Sequence, residues 1–168
     1  MKKNISISIL IIIVLVAVYF LLNRDDGSIQ YIVDDQKIVL DRNGDFRDLE
    51  KTDPPNIIKY FGNEVVTDLD DDGKVDSVFI ITINSGGTGT FFYALANLTK
   101  GKHIEGSKGY FIGDRISPQT TEIGEGNTIV INYADRGDDE PFSAEPSVGK
   151  SLILKFNKQD KSFEKVNK

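Results

Sequence analysis

The run Val78-Phe79-Ile80-Ile81-Thr82-Ile83 constrains the fold of this chain more than any other segment. Side chains of an extended strand point alternately to opposite faces, and here both faces are apolar. A strand of that kind is stable only when covered on both sides, so Val75 to Asn84 is predicted as the middle strand of a sheet inside the protein. Thr90 to Leu98, with Phe91-Phe92-Tyr93, is its expected hairpin partner. Between them Ser85-Gly86-Gly87-Thr88-Gly89 has the glycines of a phosphate-cradling loop. It lacks the Lys-Ser/Thr pair and the following helix, so it reads as a tight hairpin connection.

Strand signals dominate elsewhere as well. Ile29 to Val33 and Lys37 to Leu40 flank Asp34-Asp35-Gln36 and predict a small hairpin. Further strands are expected at Glu64 to Thr67, Gly109 to Ile112, Ile116 to Ile123, Thr128 to Tyr133 and Ser151 to Phe156. Arg42 to Thr52 reads as a loop. One short helix is expected from Asp53 to Gly62, with Asp53 as N-cap, Pro54 and Pro55 in the first turn and Gly62 as terminator. The fold class is mainly β (β-rich α+β), a single antiparallel sheet or sandwich with one short helix, preceded by one transmembrane helix.

That transmembrane helix is expected from Ile5 to Leu22, uncharged and apolar except for Ser6, Ser8 and Tyr19. At 1.5 Å per residue the run just crosses a hydrocarbon core of about 30 Å. Lys2 and Lys3 on one side, against Arg24, Asp25 and Asp26 on the other, place the N-terminus in the cytoplasm. A cleaved secretory signal would need small residues at a cut site, and cutting after Ala17 would put Leu15 three residues before it. The expected organisation is a cytoplasmic N-terminus at 1–4, a signal anchor at 5–22, a short tether at 23–28 and an extracytoplasmic β-rich domain at 29–168.

Charge and composition narrow what such a domain can do. The chain has 20 Lys+Arg and 26 Asp+Glu, and the acidic excess lies wholly after residue 28. Nucleic acid is therefore an unsuitable partner, because phosphate binding needs a basic surface. With Cys 0, disulfides, thiolate metal sites and cysteine nucleophiles are excluded together. The single histidine, His103, lies in Lys-Gly-Lys-His and reads as a solvated turn residue.

The most chemically specific string is Asp68-Leu69-Asp70-Asp71-Asp72-Gly73-Lys74-Val75-Asp76. It puts carboxylates at loop positions 1, 3, 5 and 9, with glycine at position 6 for the sharp turn. Calcium takes six to eight oxygen ligands. Asp68, Asp70 and Asp72 would supply side-chain oxygens, Lys74 its backbone carbonyl, and Asp76 a carboxylate or a bridging water. The string resembles the Asp-x-Asp-x-Asp-Gly loops of EF-hands, dockerins and calcium-binding repeats of β-propeller surface proteins. Position 12 is Phe79 instead of glutamate and the flanks read as strands, so the strand-flanked variety is expected, with weak calcium binding. The alternative is a solvated acidic turn.

Ala134 to Lys150, with Asp135-Arg136-Gly137-Asp138-Asp139-Glu140-Pro141, is long for an irregular stretch and is either a binding loop or a passive connector. From Ile29 onward the chain resembles a family of uncharacterised bacterial envelope proteins. The resemblance is carried by Tyr60-Phe61-Gly62-Asn63-Glu64, the acidic loop, Ser85-Gly86-Gly87-Thr88-Gly89-Thr90-Phe91, Gly113-Asp114-Arg115-Ile116 and Ile131-Asn132-Tyr133-Ala134-Asp135-Arg136, and it continues through Glu140-Pro141 and Pro146-Ser147-Val148-Gly149. It implies bacterial origin and a shared fold, and no activity.

The expected function is a membrane-tethered binding or structural module of the cell envelope, with an envelope protein or glycan as partner. Two alternatives stand beside it. One is a glycan hydrolase pairing Asp114 with Asp135 or Glu140. The other is an inhibitor of an extracellular hydrolase. There is no Gly-x-Ser-x-Gly, His-Glu-x-x-His or nucleotide signature, so an enzyme is the weaker expectation.

Overall fold

The computed structural model describes residues 12, 14–15, 27–50, 52–141 and 143–166. The expected anchor at 5–22 and the residues flanking it at 1–4 and 23–26 lie outside this set, apart from residues 12, 14 and 15. Among the described residues no helix is long and apolar enough to cross a membrane.

From residue 27 onward the described residues form strands, turns and loops. In chain order the strands are β1 (Ile29–Val33), β2 (Gln36–Leu40), β3 (Phe46–Asp48), β4 (Ile57–Thr67), β5 (Asp76–Asn84) and β6 (Phe91–Lys100). They continue with β7 (His103–Gly106), β8 (Tyr110–Asp114), β9 (Ser117–Ile123), β10 (Ile129–Asp135), β11 (Val148–Asn157) and β12 (Ser162–Lys165). They make three antiparallel sheets, where a single sheet or a sandwich was expected. The N-terminal sheet runs β1-β2-β3, the central sheet β4-β5-β6-β7 with β8 also on β6, and the C-terminal sheet β12-β11-β10-β9.

The alternation along β5 sorts these sheets into layers. Phe79, Ile81 and Ile83, with Tyr93 and Leu95 of β6, face Tyr31, Val33 and Ile38 of the N-terminal sheet. Val78 and Ile80, with Phe92, Ala94, Ala96 and Leu98, face Ile129, Ile131, Leu152, Leu154, Phe156 and Phe163 of the C-terminal sheet. The expectation of a middle strand covered on both sides is met by these two separate cores. Ile80 pairs across the ladder with Ala94, and Val78 with Ala96. These small residues leave room for Ile131 and Leu154, both fully buried, to approach from the opposing sheet.

The helix expected from Asp53 to Gly62 is not formed. Ile57–Thr67 is the strand β4, paired with β5 from Ile57↔Asn84 to Thr67↔Asp76. The physical reason lies in β5, whose buried backbone needs hydrogen-bond partners along both edges. β6 fills one edge, and the β-branched and aromatic residues of β4 fill the other. Gly62 (φ +112°) and Asn63 (φ +52°) mark the register shifts of a bulged strand and not a helix terminus. The loop expected at 42–52 also contains a strand, β3, whose Phe46 packs on the N-terminal core.

The predicted hairpin at the start of the chain is present. Asp34 and Asp35 both have positive φ, as a two-residue hairpin turn of the mirror-image type requires. The hairpin docks through Tyr31, whose hydroxyl donates to Asn97 Oδ1 at 2.5 Å, and through a parallel bridge between Ile32 and Lys108. A Cβ on Gly106 would collide with the Gln30 carbonyl and the Tyr31 ring, so glycine there permits the close approach. Residues 85–90 connect β5 to β6, and Gly86 (φ +83°) lies against the Pro54 ring.

The two cores make a paired test. Phe79→Ala should lower unfolding free energy by about 3–5 kcal/mol and Ile80→Ala by about 2–5 kcal/mol. Denaturant unfolding of each variant measures this. A loss under about 0.5 kcal/mol, the size of an ordinary surface change, at either position would refute the layered arrangement.

Candidate metal centre

The acidic loop joins the end of β4 to the start of β5, at one end of the central sheet. Leu69, buried at 4% exposure, plugs the loop into the C-terminal core and fixes its path. Asp71 (φ +57°) and Gly73 (φ +83°) turn the backbone, so the glycine at position 6 serves the turn expected of it. The Asp68 carboxylate then accepts the Asp72 N–H at 3.0 Å and the Gly73 N–H at 2.8 Å, which wraps the loop around its first residue.

Residues distant in sequence hold this wrapped loop. Asp76 is 2% exposed, and its two oxygens accept the Leu69 N–H at 3.0 Å and the Thr99 N–H at 2.8 Å. Thr99 returns a bond from its hydroxyl to the Val75 carbonyl at 2.7 Å. From the β9–β10 turn, the Asn127 amide donates to the Asp68 carbonyl at 2.7 Å and accepts the Thr67 hydroxyl at 3.0 Å. The loop is thereby tied both to β6 and to the C-terminal sheet.

Asp68, Asp70 and Asp76 each bring a carboxylate oxygen to within 4.8 Å of the others, an arrangement that can hold a metal ion. Two oxygens that each lie about 2.4 Å from one ion can be at most about 4.8 Å apart, so the spacing suits a shared ion. The oxygens bonded to backbone N–H groups each retain a second lone pair for a ligand. Asp70 supplies the most telling atom. Its side chain is 5% exposed, and Oδ1 is buried with no hydrogen-bond partner. A carboxylate oxygen sealed from water without a donor is costly unless a cation meets it.

The other expected ligands lie differently. Asp72 is exposed, and its Oδ2 bonds the Lys100 ammonium at 2.8 Å while Oδ1 accepts the Lys74 N–H at 3.0 Å. Lys100 holds the Asp72 carboxyl below its usual range, chiefly through that side-chain bond. Lys74 is exposed, with its ammonium 3.5 Å from Asp72 Oδ2. Lys100 also forms an ion pair with Asp70 Oδ2, and the two carboxylates, Asp70 first, hold its pKa above the usual lysine value.

The carboxylates of the hydrolase alternative are all engaged. Asp114 accepts the Thr90 N–H at 2.9 Å and pairs with Arg115 at 2.7 Å. Burial pushes the Asp135 carboxyl up, and Lys150 at 2.9 Å with the Arg136 N–H more than reverses it, leaving a net depression. A glycosidase acid needs the opposite shift. Glu140 accepts the Gly137 N–H at 2.8 Å within its own turn. The Ala134–Lys150 stretch is stitched by Arg136, which donates to the carbonyls of Ala144 at 2.7 Å and Arg115 at 2.9 Å. His103 begins β7, exposed, 3.5 Å from Glu105, rather than lying within a turn.

Compared with protein-family models, curated proteins and solved structures, the chain matches none. The site is therefore read from its own chemistry. Thr99, Lys100 and Asn127 belong to it, and no metal-binding motif marks them. Their only signal in the chain is that each lies beside a turn, and the pairing of sheets is what brings them to the loop.

Asp76→Ala removes the acceptor of two backbone N–H groups, at a cost of about 1–3 kcal/mol for each group left buried and unpaired. Chemical unfolding in chelator should show a clearly larger loss for Asp76→Ala than for the solvent-facing Asp72→Ala. Equal losses would remove Asp76 from its structural role.

Proposed function

We propose that this protein is a membrane-tethered, extracytoplasmic binding or structural module of the bacterial cell envelope, whose Asp68–Asp76 loop is stabilised by a calcium ion. The observation that carries the metal part is the unpartnered, buried Oδ1 of Asp70 beside the carboxylates of Asp68 and Asp76. Calcium suits an all-oxygen set that includes backbone carbonyls and water, whereas magnesium sheds its waters reluctantly. Asp68, Asp70 and Asp76 would hold the ion first, with Asp72 and the Lys74 carbonyl completing the shell on loading. The ion supplies charge neutralisation and cross-linking of the loop, and no reaction.

A binding or structural role is supported by what surrounds the site. Two packed cores and three sheets make a rigid platform, and the hydrolase carboxylates are engaged in ion pairs and turns. The envelope location rests on the uncharged run Ile5–Leu22 with Lys2 and Lys3 before it, and on the resemblance of the exposed part to envelope proteins. An acidic domain there meets calcium at concentrations that weak sites can sense. An envelope protein or glycan remains the partner class of this reading.

Thermal melting of the full chain in detergent tests the metal. With a dissociation constant of roughly 10⁻⁴ to 10⁻³ M, calcium at about ten times that value should stabilise by about 1.4 kcal/mol. The midpoint should rise by roughly 3–6 °C. Asp70→Asn should abolish the rise, and magnesium should give little. No rise with calcium would end the metal reading.

The absence of cysteine gives a clean test of topology. A single Lys158→Cys variant in intact bacterial cells should react with a membrane-impermeant maleimide, and Lys3→Cys should react only after lysis. The reverse pattern would overturn the orientation.

A further inference from the structure

We infer that Lys100 is the resident counter-ion of the Asp68/Asp70/Asp76 site and sets its affinity and its preference for divalent over monovalent cations. The inference rests on the metal reading above and deepens it. The Lys100 ammonium is bonded at once to Asp70 Oδ2 and to Asp72 Oδ2, the latter at 2.8 Å. It thus spans one carboxylate of the buried triad and one on the solvent side of the loop. The independent sign that the arrangement is incomplete is Asp70 Oδ1. On a side chain only 5% exposed, the ammonium satisfies one oxygen and leaves the other sealed without a donor.

The surroundings let Lys100 leave while the loop stays in place. Lys100 is the last residue of β6, and its neighbour Thr99 is fastened to Asp76 and Val75 by two hydrogen bonds. The backbone is therefore fixed, and only the flexible four-carbon stem needs to move. A cavity of about 300 Å³, lined by Asp70, Asp71, Asp72 and Leu98 and by Lys158 and Lys161, adjoins Lys100 and opens to solvent, where a displaced ammonium can hydrate.

Charge decides which ions displace it. A sodium or potassium ion entering the site would exchange one positive charge for another and forfeit two charge-assisted hydrogen bonds. A divalent ion doubles the positive charge among four carboxylates and binds the oxygen that the ammonium leaves unmet. Lys100 therefore offsets part of the carboxylate charge in the unloaded loop, and lowers its calcium affinity by the cost of being expelled.

Calorimetric titration of the full chain with calcium, for wild type, Lys100→Met and Lys100→Arg, tests this. Methionine keeps the stem and removes the charge. The dissociation constant of Lys100→Met should fall about tenfold. Its melting temperature should drop below wild type in chelator, where the loop loses its counter-ion, and recover in calcium. Lys100→Arg, which keeps the charge and bonds carboxylates with a fixed fork, should bind calcium several-fold more weakly than wild type and hold its melting temperature in chelator. If Lys100→Met does not fold in chelator, refolding it in calcium supports the counter-ion role, and the arginine variant still reads the affinity. Calcium binding by wild type with an unchanged constant in Lys100→Met, or tighter binding by Lys100→Arg, would overturn the Lys100 inference alone. No calcium binding by wild type would overturn the metal reading with it.

Discussion

Neighbouring side chains of β5 enter different cores, Phe79 and Ile81 on one side and Val78 and Ile80 on the other, and the rest of the molecule is arranged around that division. A strand so buried cannot leave its backbone groups to water. It therefore recruits β6 along one edge and β4 along the other. Among the described residues no strand of the N-terminal sheet pairs with one of the C-terminal sheet. Each is held by the face of β5 and β6 that it covers.

The acidic loop inherits its position from this frame. Asp68 and Asp76 bracket the β4–β5 connection and spend their carboxylates on backbone N–H groups. Those bonds wrap the loop around its first residue and tie its last one to β6. Asp70 is set apart, because the same wrapping buries it and leaves one oxygen without a donor. Residues of a single type thus differ in what their carboxylates meet: backbone N–H groups at Asp68 and Asp76, the Lys100 ammonium at Asp70. The difference follows from which carboxylates face the turn's amides and which faces the cleft beside Lys100.

The sheet strands of greatest burial were legible because their periodicity is short-range. Val75 to Asn84, its partner from Thr90, and the turn at Asp34-Asp35 all emerge in the structure close to where pattern places them. Asp53 to Gly62 misled for an equally physical reason. Its capping residue, prolines and glycine are local signals for a helix, and the demand of β5 for an edge partner outweighs them. The short strands β3, β7 and β12 have too few residues to show alternation. They exist because longer neighbours offer them a ladder.

The sequence alone determined the central two-faced strand, the acidic loop with its turning glycine, and the negative net charge. These depend on residues adjacent in the chain or on totals over it, which need no knowledge of the fold. Only the tertiary structure decided that the strands divide into three sheets, that Asp68, Asp70 and Asp76 converge while Asp72 turns to Lys100, and that Thr99 and Asn127 brace the loop. Each of those contacts joins segments far apart in sequence. Their proximity is set by the packing of sheets around β5, and no local pattern of residue types encodes it.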